Sequence, residues 1–96
     1  MYGLAHEQVQ RGCELFKAGR GFRDIGLDGW LLPEPFLAKQ QPAIDQGMGL
    51  CNDYPLIMNE QWFDSSGFDG EIAAGMMFCI ESYVGAPGGN EGVKLE

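Results

Sequence analysis

The run from Gly75 to Glu96 constrains the fold more tightly than any other part of this sequence. Gly75-Met-Met-Phe-Cys-Ile-Glu-Ser-Tyr-Val84 reads as a strand, Gly85-Ala-Pro-Gly-Gly-Asn90 as a turn, and Glu91-Gly-Val-Lys-Leu-Glu96 as a second strand. Gly88 and Gly89 can both take the positive φ angles that a two-residue hairpin turn requires, so the reversal is expected to centre on them. That register sets Val84 opposite Val93, Tyr83 opposite Lys94, Ser82 opposite Leu95 and Glu81 opposite Glu96. Side chains alternate between the two faces of a strand. One face then carries Phe78, Ile80, Val84, Val93 and Leu95, an apolar set fit for a core. The other carries Glu81, Tyr83, Lys94 and Glu96.

Glu81 and Glu96 give this hairpin its chemical interest. Directly opposed residues of an antiparallel pair have β-carbons about 4.5–5.5 Å apart, and like charges there repel. Two carboxylates so placed are relieved by a shared proton or by a cation. Manganese, iron, cobalt or zinc would accept their oxygens. A turn centred instead on Gly89-Asn90 would leave the same residues as a solvated acidic edge.

Composition narrows the partners. The chain has 96 residues and a formal net charge of −8, with six Lys and Arg scattered along it. Nucleic acid and anionic membrane surfaces both require clustered basic residues, so neither is an expected partner. Hydrophobic content is 45% with no shift that would mark a boundary, so residues 1–96 are read as one domain, α+β in class. No stretch approaches the ~20 apolar residues of a membrane helix. The first residues lack the basic and apolar regions of a signal peptide. Cys13, Cys51 and Cys79 are odd in number and far apart, with neither CxxC nor Cys/His ligand spacing. They are read as reduced, mostly buried thiols of a cytoplasmic protein.

Upstream, Ala5, Val9, Gly12, Cys13 and Phe16 recur at helical spacing, which predicts a helix from about Leu4 to Lys17, closed by the glycines after Ala18. Phe22 to Trp30 is predicted as a second, short helix with Phe22, Ile25 and Leu27 or Trp30 inward, stopped by Pro33 and Pro35. Residues 37–68 show no clean period and are read as loop with one short strand near Gly47–Leu50. The single histidine, His6, is expected to face solvent.

These segments resemble the pita-bread metalloenzymes, the group of methionine aminopeptidases, Xaa-Pro peptidases and creatinases. Gly75-Met76-Met77-Phe78-Cys79-Ile80-Glu81 resembles their Gly-Met-x-hydrophobic-x-x-Glu strand, and Gly92-Val93-Lys94-Leu95-Glu96 the Gly-Val-Arg/Lys-x-Glu strand that follows. Gly47-Met48-Gly49-Leu50 with Tyr54-Pro55 is similar to the His-Gly-x-Gly segment. The match is specific from Gly47 onward and weak before it. It implies part of a pita-bread fold, helices packed on a small antiparallel sheet that ends in a hairpin. It also implies a divalent metal pair, with Glu81 a terminal ligand and Glu96 a bridge, and a peptide or small-molecule substrate. For full-length members it implies a homodimer.

The sequence departs from the family at three places. Gln46 stands where the family has a metal-binding His, and a Gln carbonyl is a weaker, neutral ligand. The Asp ligands of the family's earlier hairpin have no counterpart, so the chain is read as a fragment that is inactive alone. Finally, Cys51-Asn52-Asp53-Tyr54-Pro55 replaces the peptidases' His-Glu-x-Pro. It resembles the Cys-Asp-Glu-Tyr-Pro of the dimethylsulfoniopropionate-lyase-like and Xaa-Pro peptidase-like branch. The acid after Cys is a general base in that branch. Here Asn52 cannot take a proton at neutral pH, and Asp53 could substitute only with a backbone shift. Turn residues before Pro55 are the plainer reading of both. The implied function is thus part of a metal-dependent Xaa-Pro peptidase-like hydrolase or related lyase. A non-catalytic interaction module that kept the fold is the alternative.

Overall fold

The computed structural model describes residues 1–41, 43–47, 53–67 and 69–96, with the backbone alone at 44, 46, 47 and 53–55. The class is α+β, as expected. Helix α1 (Tyr2–Leu15) and helix α2 (Phe22–Asp28) lead into a 3-10 turn (Phe36–Lys39). Strands β1 (Ala43–Gly47) and β2 (Asp53–Met58), helix α3 (Glu60–Ser66) and strands β3 (Phe78–Ile80), β4 (Ser82–Gly85) and β5 (Gly92–Leu95) follow. They form two antiparallel sheets, one ordered β2-β1-β3 and the other the β4–β5 hairpin. Among the described residues no helix is long and apolar enough to cross a membrane.

The hairpin register is the expected one: Ser82 pairs with Leu95, Tyr83 with Lys94 and Val84 with Val93. The turn is different. Ala86 and Glu91 close the ladder through Ala86 N–H to Glu91 O at 2.9 Å, leaving a four-residue loop. Within it Gly89 N–H donates to Ala86 O at 3.1 Å, and of the two glycines only Gly88, at φ +71°, takes the left-handed conformation. Proline followed by a left-handed glycine is the type II arrangement, so Pro87-Gly88 makes the turn in place of Gly88-Gly89.

The predicted strand Gly75–Val84 is shorter and broken. Ala74-Gly75 is a turn, with Gly75 at φ +89°, and pairing starts at Phe78. The ladder then switches at Glu81: β3 pairs with β1 and β4 with β5. Glu81 is therefore the joint between two sheets. In the middle of the chain the loop reading fails, since β1, β2 and α3 all lie there; of the strand predicted near Gly47–Leu50, Gly47 closes β1 and residues 48–50 lie outside the described residues.

Two apolar clusters hold these elements. Phe22 and Ile25 of α2, Ile57 and Met58 of β2, Phe63 of α3 and Ile72 make the first. Gly26 lets α2 approach β2 closely, because a β-carbon there would sit 2.5 Å from the Met58 carbonyl oxygen. Ala5 of α1, Leu32 and Val84 make the second, with Leu4, Trp30, Val93 and Leu95 packed against it. Helix α1 starts and ends two residues earlier than expected, and Phe16 caps it by donating to Cys13 O. Cys13 is exposed, against the expectation of a buried thiol, and Cys79 is half-buried. On a helix whose inward stripe passes through Ala5 and Gly12, position 13 turns about 100° away from position 12. Leu27 is exposed for a similar reason, since α2 ends at Asp28 and Trp30 takes the inward place.

Candidate functional site

Glu81 sits at the β3–β4 joint with its side chain only 13% exposed. The hairpin ladder ends at Ser82 and Leu95, so the predicted opposition of Glu81 and Glu96 falls one step beyond its last pair. Their surroundings differ, however. Glu96 is exposed, whereas Glu81 makes an ion pair with Lys94. Lys94 is Glu96's neighbour on the same face of β5, two positions back, and a long side chain there reaches diagonally across the pair. Its ammonium also donates to Gln41 Oε1 at 2.9 Å. That carbonyl end is fixed, because Gln41 Nε2 donates to Ala43 O at 3.0 Å. Asn59 Nδ2 in turn donates to the Gln41 backbone carbonyl at 3.1 Å. Glu81, Gln41 and Asn59, with Gln8 and Trp30, line a small cavity of about 10 Å³. That is room for one water-sized group.

Asp45 of β1 is the second acid here. It is 1% exposed, and its Oδ1 accepts the Ile57 N–H at 2.9 Å where the β1–β2 register shifts. A side chain thus stands in for a ladder carbonyl. Asp45 Oδ2 is buried with no hydrogen-bond partner among the described residues. Burial pushes the Asp45 carboxyl up to about 7, against the Ile57 N–H that lowers it, with the Glu81 charge adding to the rise.

A third group of polar contacts ties α1 to the hairpin. Gln8 Nε2 donates to Trp30 O at 3.0 Å and to Gln40 Oε1 at 3.2 Å, and Ser82 Oγ donates to Gln8 Oε1 at 2.6 Å. Gln40 Oε1 also accepts the Leu32 N–H at 2.7 Å. Gln8 and Ser82 adjoin the site residues and tie α1 to the first residue of β4, next to Glu81.

Of the sequence-predicted site residues, Glu81 and Glu96 are brought to one end of the hairpin. Gln46 lies on β1 and pairs with Cys79 of β3, so its backbone is near that of Glu81, while its side chain is outside what is described. Asp53 opens β2 opposite Gly47, again as backbone only, and Asn52 lies outside the described residues. Sequence reasoning missed Asp45 and Gln41. Asp45 stands between Ala43-Ile44 and Gln46-Gly47, a context that carries no local signal for a buried carboxylate. Lys94 was placed on the right face, and its diagonal relation to Glu81 could have identified it as the counter-charge.

The donors present do not by themselves fit the divalent ion that the resemblance implies. Among the described residues no group of three or more His, Cys, Asp or Glu is placed to hold a metal. The charge on Glu81 is already met by an ammonium.

No protein-family model matches the chain. Over 92 residues it is 33% identical to the dimethylsulfoniopropionate lyase DddP of Roseovarius nubinhibens, a match that covers 96% of this chain and 21% of that protein. It is 24% identical over 98 residues to the dimethylsulfoniopropionate lyase DddP of Roseobacter denitrificans, covering 100% of this chain and 22% of that protein. The chain spans about a fifth of the length of the curated relatives it matches.

Proposed function

We propose that this chain corresponds to the carboxylate-bearing strand segment of a metal-dependent lyase of the pita-bread group. Its contribution is Glu81 and Glu96, which bind a divalent ion together with donors not found among the described residues. Of the two chemistries that the resemblance implies, peptide hydrolysis and lyase cleavage, the relatives carry the lyase in their names. The substrate class proposed is accordingly a small sulfonium carboxylate of the dimethylsulfoniopropionate type. The observation that supports this reading is the hairpin register, which ends at Ser82 and Leu95 and so leaves Glu81 and Glu96 as the next residues at the same end.

The test is a manganese titration of the chain followed by the loss of the free-ion electron paramagnetic resonance signal. Two carboxylates without further donors should bind weakly, with a dissociation constant of about 1 mM. That binding should vanish in the double variant Glu81→Gln, Glu96→Gln. Equal uptake by the two proteins would refute the role of these glutamates.

The ion pair between Glu81 and Lys94 favours a second reading, a non-catalytic interaction module that kept the fold. Gln46 and Asn52 point the same way, since each replaces a function-bearing group with a neutral one of similar shape. Under that reading no variant of this chain takes up manganese.

A further inference from the structure

We propose that Met76 is an oxidation site, a methionine whose conversion to the sulfoxide by a hydroperoxide tightens the turn that leads into β3. The inference concerns a segment that the proposed function leaves unused, and it stands or falls independently of that reading.

Three observations carry it. Residues 73–76 form a turn in which Met76 N–H donates to Ala73 O at 3.2 Å and Gly75 takes φ +89°. A glycine of positive φ in the third position is the type II arrangement. The turn is closed a second time by its own side chain, because Ala73 N–H donates to Met76 Sδ at 3.3 Å. A thioether is a weak acceptor, so this second closure is the loose one. Next, both ends of the segment are fixed. Gly19 N–H donates to Ile72 O at 2.7 Å and Ile72 N–H to Arg20 O at 2.8 Å, while Phe78 pairs with Gly47 and meets the Phe16 ring edge-on. A change at Met76 is therefore confined to the turn between them. Lastly, the thioether is open to a small oxidant: Met76 is 48% exposed and Met77 69%, against 8% for Met58.

The chemistry is a transfer of one oxygen. A sulfur lone pair attacks one oxygen of the hydroperoxide, the S–O bond forms as the O–O bond breaks, and the other oxygen leaves as water or alcohol with the hydroperoxide's proton. Sulfur gives up two electrons and the peroxide takes them. The product carries a polar oxygen on a flexible side chain, a better acceptor than the sulfur it replaces. That oxygen lies beyond sulfur, so the side chain must draw back for it to meet Ala73 N–H. The turn is open enough for this, since a β-carbon built on Gly75 meets nothing within 4 Å. The loose N–H···S closure then becomes a firmer N–H···O one.

The experiment treats the wild type, Met76→Leu and Met77→Leu with hydrogen peroxide, locates the added oxygen by peptide mass spectrometry and follows exchange of the Ala73 amide by NMR. Met76 and Met77 should each gain one oxygen while Met58 stays reduced. The Ala73 amide should then exchange roughly fivefold more slowly in the wild type and in Met77→Leu. Met76→Leu should show no change, and a methionine sulfoxide reductase should restore the starting rate in the other two. Oxidation of Met77 with Met76 left reduced would overturn the site. Oxidation of Met76 that leaves Ala73 exchange unchanged, or speeds it, would overturn the tightened turn. A slowing that persists in Met76→Leu would assign the effect to another sulfur and overturn the proposal as well.

Discussion

Replacing Asp45 with Asn should abolish the pH dependence that this one buried acid imposes on stability. Asp45 is 1% exposed, with one oxygen on the Ile57 N–H and the other without a hydrogen-bond partner among the described residues. Its carboxyl titrates near 3.8 in the unfolded chain and is pushed up to about 7 in the fold, by burial first and by the Glu81 charge besides. Between those values the folded protein holds a proton that the unfolded chain releases. The stability this confers is fully present below the unfolded value and is lost as pH rises through about 7. Three units of difference correspond to about 4 kcal/mol, at 1.36 kcal/mol per unit. A domain of this size has only about 5–15 kcal/mol in total, so the loss is large. Asn keeps an oxygen for the Ile57 N–H and has no charge to lose. The stability of Asp45→Asn minus that of the wild type should therefore grow by about 4 kcal/mol from about pH 4 to about pH 8. Urea unfolding followed by tryptophan fluorescence measures it, and taking the difference between the two proteins cancels the other titrating groups to first order. A difference that is flat across this range, or that shrinks as pH rises, refutes the reasoning.

Gly26→Ala should lower the melting temperature by an amount equivalent to about 1–3 kcal/mol, because the added β-carbon meets the Met58 carbonyl oxygen at 2.5 Å. The gain in helix propensity, about 1 kcal/mol, is too small to offset that, and a rise in melting temperature would count against the close approach of α2 to β2. Gly88→Ala should cost about 1–2 kcal/mol in chemical denaturation, since φ at that position is +71°. No change there would mean that the turn has another form. Gln8→Ala should cost about 1–3 kcal/mol by leaving the Ser82 hydroxyl and the Trp30 carbonyl without their partner. In a Ser82→Ala background the cost should be smaller, and a double-mutant cycle reads the difference; strict additivity would show that the two side chains do not act together.

Some of this fold is written locally. The α1 helix follows from apolar residues at helical spacing, and the hairpin register follows from alternation on both sides of Pro87-Gly88-Gly89. The pairing of Ser82 with Leu95 and of Val84 with Val93 is legible in the sequence because both constraints sit within a few residues of the turn. The turn type could not, since Gly88 and Gly89 are equally permissive and only the Ala86–Glu91 closure selects between them. Strands β1 and β2 were illegible for a different reason. β1 is the central strand of its sheet, so long-range pairing to β2 and β3 makes it, and its sequence Ala-Ile-Asp-Gln-Gly has no apolar pattern to announce it.

The amino-acid sequence by itself thus determined the register of the hairpin that carries Lys94, because strand alternation is a local rule. Tertiary packing decided how the Lys94 ammonium that answers Glu81 is held. It brings Gln41, its backbone held by Asn59, from a distant part of the chain to accept from the Lys94 ammonium, and it buries Asp45 nearby. Burial and approach depend on contacts between residues far apart in sequence, and such contacts exist only once the chain has closed on itself.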